Sequence, residues 1–241
     1  MKNFEPFPHL IHFFGPDGAG KSTHVDILVN VVCQQGIQVQ KCWVRAHHTL
    51  AFVLWKFFVK IGFYRIIINP FGPPGKLPAV DRNGLLRFFW SVVELLGVLP
   101  VLLRVRYSLW RGRVLVAERY VLDTVVTIAF FLDDLNFLGS RISRLLLRFI
   151  PKDAVFIFLD ADYETIFQRR APLFTKMHSQ KTKRNYGATP RCPVEPRVFI
   201  DFQRTAYKIL AKYFDPLVID TSNHSIEETS VMILHYLGFN Q

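Results

Sequence analysis

The stretch Gly15-Pro16-Asp17-Gly18-Ala19-Gly20-Lys21-Ser22-Thr23 constrains this chain most, because it needs a strand on one side and a helix on the other. Leu10-Ile11-His12-Phe13-Phe14 before it is a short apolar run of the buried-strand kind, and Val25, Leu28, Val29 and Val32 after it recur at helical spacing. The glycines at 15, 18 and 20 permit backbone angles that a Cβ would forbid, so successive N–H groups can turn inward around phosphate oxygens. The helix that follows points its positive end at the same place. Lys21 adds a mobile charge for the β- and γ-phosphates, and the Ser22 hydroxyl is placed to hold Mg²⁺. The pattern G-x-x-x-x-G-K-[ST] between a strand and a helix predicts a triphosphate cradle.

No Ser/Gly/Pro-rich linker divides the 241 residues, so a single α/β domain over 1–241 is expected. Half of the residues are hydrophobic and 23 are Phe, which calls for a large core or for apolar surface covered by a partner or a membrane. The longest apolar runs, 50–71 and 85–103, are interrupted by Lys56, Lys60, Arg65, Arg87 and Glu94 and read as buried helices, not membrane spans. No signal-peptide pattern precedes the first strand, so a cytoplasmic location is expected. Cys33, Cys42 and Cys192 match neither a metal site nor a disulfide framework and read as packing or surface residues. The net charge of +11 suggests an anionic partner: nucleotide, nucleic acid or acidic lipid.

Beyond Gly36, a natural helix end, residues 37–44 alternate as a strand does, leaving Arg45 just past its C-terminal end. Ligands of open parallel sheets bind there, although a solvated surface charge would look the same. Residues 51–68 read as a helix with a basic face of Lys56, Lys60 and Arg65, of core or dimer type ahead of membrane-surface type. Residues 69–75 form a turn-rich loop near the cleft, and 85–109 a second apolar helix with kink sites at Gly97 and Pro100. The buried parallel strand 114–117 then leads into Glu118-Arg119-Tyr120. A carboxylate at the end of a central strand beside the cradle can hold Mg²⁺ or orient the attacking group, and the adjacent Arg can bridge phosphates. A structural ion pair is the alternative.

Helices over 123–132 and 141–149 precede a buried strand, 154–159, that ends at Asp160. The next helix starts at Asp162-Tyr163-Glu164 and runs to Arg169-Arg170. From Thr165 to Val194 there is no Asp or Glu, whereas Lys176, Lys181, Lys183, Arg184 and Arg191 follow the two arginines. Such a one-signed segment reads as a basic lid, about 169–195, that supplies charge to a transferring phosphoryl group and excludes water. A nucleic-acid patch is the rival, but only Phe174 and Tyr186 could stack on bases, so no nucleic-acid partner is expected. Residues 195–214 form an amphipathic helix with Phe199, Phe202, Ala206, Ile209, Leu210 and Tyr213 inward, before a last strand, 217–220, and a closing helix, 225–237. Five apolar strands alternating with helices imply a parallel sheet with right-handed crossovers.

Together, GPDGAGKST, the Glu118-Arg119-Tyr120 triplet, the strand-Asp160-helix-Arg169-Arg170 entry to the lid and the terminal Val218-Ile219-Asp220-Thr221 resemble thymidylate kinase and its nucleoside-monophosphate kinase relatives. The resemblance covers most of the chain, and residues 46–100 match only in outline. It implies a P-loop NTPase-type three-layer α/β/α fold with a five-stranded parallel sheet and a basic lid. It also implies transfer of the ATP γ-phosphoryl group to a nucleoside monophosphate, foremost dTMP, with ATP and Mg²⁺ as cofactors; a homodimer is expected. Gly15, Gly18, Ala19, Gly20, Lys21, Ser22 and Thr23 would then bind ATP, with Ser22 and Glu118 at the metal. Asp17 would face the acceptor sugar, Arg45 clamp the acceptor phosphate, Arg119 touch both phosphates and Tyr120 line the acceptor pocket. Catalysis would rest on Lys21, Glu118, Arg119, Arg169 and Arg170, the last two because Gly18 stands where some members have Arg.

Two departures fall in the acceptor-binding region, about 45–110. Val44-Arg45-Ala46-His47-His48 replaces a T-R-E-P-like segment, and Glu94 and Val98 stand where the family has an aromatic residue and an Arg that grip thymine. Phe88, Phe89 or Trp90, with Arg104 or Arg106, are the available substitutes, and His47 and His48 are expected to make ordinary polar contacts. The resemblance therefore speaks to phosphoryl transfer more than to thymidine. Alternatives are a kinase for a nucleoside, a sugar or a membrane-borne alcohol, and a nucleotide-binding regulator without turnover. Peripheral membrane contact is not favoured, and no N-K-x-D segment supports a GTPase.

Overall fold

The computed structural model describes residues 7–43, 50–70, 74–181 and 194–239, with backbone alone for Leu50 and 173–181. β1 (Leu10–Phe14) is buried along its whole length because it pairs on both edges, parallel to β5 (Val114–Arg119) and to β6 (Val155–Asp160). β2 (Val39–Trp43) extends the sheet beyond β5, and β7 (Leu217–Asp220) extends it beyond β6. The order β2-β5-β1-β6-β7, all parallel, sets the cradle strand at the centre with the C-terminal ends of its neighbours on either side.

Alternation along β1 divides the core in two. Leu10 and Phe14 enter one hydrophobic layer with α3 (Gly84–Trp110), α4 (Val121–Leu132), α5 (Arg141–Leu147) and the Tyr207 side of α7 (Arg197–Phe214). Ile11 and Phe13 enter the other, beneath α1 (Lys21–Gln34), α8 (Ile226–Tyr236) and Ile166 of α6 (Tyr163–Lys181). Helices thus cover both faces, giving a three-layer α/β/α fold around a five-stranded parallel sheet.

Three expectations need correction. The helix expected over 51–68 ends early: α2 (Leu50–Lys60) is followed by Gly62 at φ 81°, then by the antiparallel hairpin β3 (Tyr64–Ile67) and β4 (Gly75–Pro78). An unbroken apolar run has no period of its own, and the β-branched Ile66-Ile67-Ile68 favours a strand. α3 runs through Gly97 and Pro100 as one helix. In α7 the inward positions include Gln203 and Tyr207, while Tyr213 is 75% exposed. Residues 182–193 of the lid, Arg45, His47 and His48 lie outside the described residues.

α3 has apolar side chains all round. Trp90, Val93, Val98, Leu102, Val105 and Leu109 are buried on its inner side, whereas Leu85, Phe88, Phe89, Leu96, Leu103, Tyr107 and Trp110 are exposed on the other.

Candidate active site

The turn after β1 works only with glycine. Gly15, Gly18 and Gly20 have φ of 142°, 103° and 90°. A Cβ at Gly15 would fall 2.0 Å from the Leu159 carbonyl oxygen of β6, and one at Gly18 would meet Ile166 Cγ2 at 2.6 Å. The loop therefore lies against β6 and α6 as closely as backbone can. α1 begins at Lys21 with neither a side-chain cap nor an acidic residue in its first turn, which leaves its positive end to face a ligand.

Lys21 folds back over this loop. Its ammonium donates to the carbonyls of Gly15 at 2.7 Å and Pro16 at 2.8 Å and lies 3.8 Å from Asp17 Oδ1. Burial pushes its pKa down to about 8 against the pull of the Asp17 carboxylate. Ser22 and Thr23 follow on the cavity wall, and Ala19 is buried, its carbonyl accepting from the Thr221 hydroxyl at 3.2 Å.

Because β5 is the direct neighbour of β1, its last residues arrive beside the cradle. Ser22 Oγ donates to Glu118 Oε1 at 2.5 Å. Arg119 is ion-paired with Asp17 and lies 3.9 Å from Asp123 Oδ1. Burial opposes the Arg119 charge, but the two carboxylates outweigh it and raise the guanidinium pKa further. From α6, Arg169 donates to the Thr221 hydroxyl at 3.1 Å and to its carbonyl, and Arg170 passes over Gly18. Cradle, Glu118, Arg119, Arg169 and Arg170 together enclose a cavity of about 430 Å³.

Hydroxyl and carboxylate oxygens are the donors Mg²⁺ prefers, and it uses one or two protein groups alongside phosphate and water. Ser22 and Glu118 fit that set. Among the described residues no cluster of three or more His, Cys, Asp or Glu side chains could hold a metal unaided.

A second cavity, about 170 Å³, opens on the other side of the Asp17–Arg119 pair. Its walls are Thr124, Thr127, Phe130 and Phe131 of α4, Phe199 at the start of α7, Trp55 of α2 and the hairpin residues Ile67, Lys76 and Leu77. The Trp55 indole N–H donates to the Lys76 carbonyl at 2.8 Å and ties α2 to the hairpin.

This geometry corrects the expected acceptor wall. Tyr120 is fully buried, with its hydroxyl donating to the Phe149 carbonyl at 3.1 Å, and lines neither cavity. On α3, Trp90 packs against Phe131 in the core with its ring tilted at 51°, Phe88 and Phe89 face outward, and Val98 is buried. Glu94 is also buried, and loss of water pushes its pKa up to about 8. Neither these residues nor Arg104 and Arg106 line the second cavity.

Sequence patterns missed a buried polar network behind the pair. Asp123 accepts from the Tyr207 hydroxyl at 2.8 Å and the Tyr120 backbone N–H at 3.2 Å, and lies 3.4 Å from His12 Nε2. Gln203 Oε1 accepts from the Asp17 backbone N–H at 3.1 Å. On the cradle wall His24 lies 3.1 Å from Ser230 Oγ, and burial, helped by Arg169, lowers its pKa to about 4. A polar residue on an otherwise apolar strand, His12, was the one available cue.

No protein-family model and no curated protein sequence matches the chain. Among solved structures, the crystal structure of the YorR protein from Bacillus subtilis in complex with phosphorylated GDP is similar over 95% of each chain, at 16% identity and a TM-score of 0.44. Likeness this loose identifies neither an activity nor a ligand for the present chain.

Proposed function

We propose that this protein transfers the γ-phosphoryl group of ATP to a nucleoside monophosphate, with dTMP the first acceptor to test. The observation that carries the reading is the shared wall: Asp17 and Arg119 border the cradle on one side and the aromatic-walled cavity on the other. A donor bound by residues 15–23 and an acceptor bound between Phe130 and Phe199 would meet at that pair. The aromatic faces of Phe130, Phe199 and Trp55 suit a planar base, and Thr124, Thr127 and Lys76 offer polar contacts to its edge.

In the reaction an acceptor phosphate oxygen forms a bond to the γ-phosphorus while the bond from that phosphorus to the β–γ bridging oxygen breaks, releasing ADP. Mg²⁺ would neutralise charge on the β- and γ-oxygens. Lys21 would leave the Gly15 and Pro16 carbonyls for the phosphates, and Arg119, aimed by Asp17, would span donor and acceptor oxygens. Arg169 and Arg170 would add charge from α6 and keep water out.

The test is ADP release from MgATP with each common nucleoside monophosphate in turn, dTMP included. Turnover with one of them, lowered about a hundredfold by Arg119→Lys, is expected, since a lysine keeps the charge but loses the bidentate fork. Absence of turnover with every monophosphate sinks the reading.

A further inference from the structure

We propose that the outer faces of α2 and α3 form a docking surface for an anionic lipid membrane. On α3 the exposed Leu85, Phe89, Leu96, Leu103 and Trp110 follow one another at steps of four and seven, which keeps them on one side of a helix about 40 Å long. Phe88 and Tyr107 flank the same stripe. On α2, Val53 and Phe57, with Ile61 just past the helix end, repeat at steps of four and are also exposed. Apolar stripes of this length on a surface mark something that covers them.

Charge identifies the cover. α2, α3 and the residue after α3 carry Lys56, Lys60, Arg87, Arg104, Arg106 and Arg111 against one acid, Glu94, and of these cations Arg87 is ion-paired with Asp134. Asp81 lies 3.4 Å from Arg65 and Glu94 is buried, so α3 exposes no acid at all. Arg104 and Arg106 border the stripe, with Arg111 just beyond its end. Two copies of the chain meeting through this face would bring like charges together, whereas an anionic bilayer surface attracts them and receives the apolar side chains. One end of the stripe carries Tyr107 and Trp110, the amphipathic rings suited to headgroup depth, and the other the purely apolar Phe88 and Phe89. α3 is long and apolar enough to cross a membrane, but its inner side is locked into the core through Trp90, Val98 and Leu102, so it lies along the bilayer and not across it.

The test is flotation of the full chain, without nucleotide, with vesicles of phosphatidylcholine alone and with about 30% phosphatidylserine added. The chain is expected to float with the anionic vesicles at low salt, to remain behind with the neutral ones, and to lose binding as salt is raised. Leu96→Ser/Leu103→Ser/Trp110→Ser, and separately Arg104→Glu/Arg106→Glu, should each lower the bound fraction about tenfold. Both variants should keep the wild-type circular dichroism and a cooperative melting transition, which shows that they fold. No flotation with anionic vesicles, or flotation that neither variant weakens, overturns the proposal. So does a triple-serine variant that turns a dimer into a monomer while the wild type ignores vesicles, a result that assigns the face to a second copy. Vesicle binding involves no turnover, so it stands or falls apart from the phosphotransfer reading.

Discussion

Lys21 is held by two opposed influences, burial that favours the neutral amine and Asp17 that favours the ammonium, and burial prevails. A triphosphate arriving beside it reverses the balance, so binding should draw a proton onto Lys21 at about pH 8 and none at about pH 6, where the amine is already charged. Calorimetry of ATP binding in buffers of different ionisation enthalpy measures this uptake, and Lys21→Met should abolish it. Gly15 and Gly18 pose different steric problems. The Gly15 obstacle is backbone of a central strand and cannot yield, whereas at Gly18 it is the end of the Ile166 side chain. Gly15→Ala should therefore cost about 3 kcal/mol or more in chemical denaturation and Gly18→Ala distinctly less, and equal costs would contradict the packing described. These positions were legible in the sequence because the cradle is local: nine consecutive residues carry its geometry. Asp123 and Gln203 were not, since their partners lie 84 and 186 positions away along the chain.

At the scale of elements, the second cavity owes its shape to segments that no linear pattern joins. α4 contributes the largest share of the wall, the β3–β4 hairpin adds Ile67, Lys76 and Leu77, and α2 and the start of α7 add one ring each, Trp55 and Phe199. The family-based expectation looked for an acceptor grip on α3, but α3 is separated from the cavity by Phe131, against which Trp90 packs. Phe130→Ala should raise the KM for the acceptor about tenfold and leave the Kd for ATP unchanged, the pattern of a lost binding face. An equal loss for both substrates would place the effect on the fold as a whole. The outward stripe of α3 was hidden for another reason. A helix apolar on both sides has no segregated faces, so only the observed packing separates the side in the core from the side in solvent.

For the whole molecule, the α/β class and the parallel sheet followed from strand and helix alternation, because each buried strand is a short apolar run with turn residues at its ends. Spatial order did not follow, since parallel strands are joined by crossovers that fix hand but not neighbour. Stability should depend on pH through α3. Burial holds the Glu94 carboxyl near 8, so the folded chain keeps a proton that the unfolded chain releases above about 4.5. Stability from this group is complete below about 4.5 and declines as pH rises to about 8. Glu94→Gln should flatten that decline. The gap in melting temperature between the two proteins should widen across the same interval, and a constant gap would mean that Glu94 does not titrate there.

The Asp17–Arg119 pair has the last consequence. A partition only one ion pair thick, charged on both faces, makes whatever binds in the two chambers thermodynamically dependent: a phosphate that draws Arg119 from one side alters what Asp17 offers on the other. Heterotropic linkage of this kind is reciprocal, so the factor by which ATP changes acceptor affinity must equal the factor by which acceptor changes ATP affinity. Arg119→Lys loosens the partition and should bring both factors toward one together.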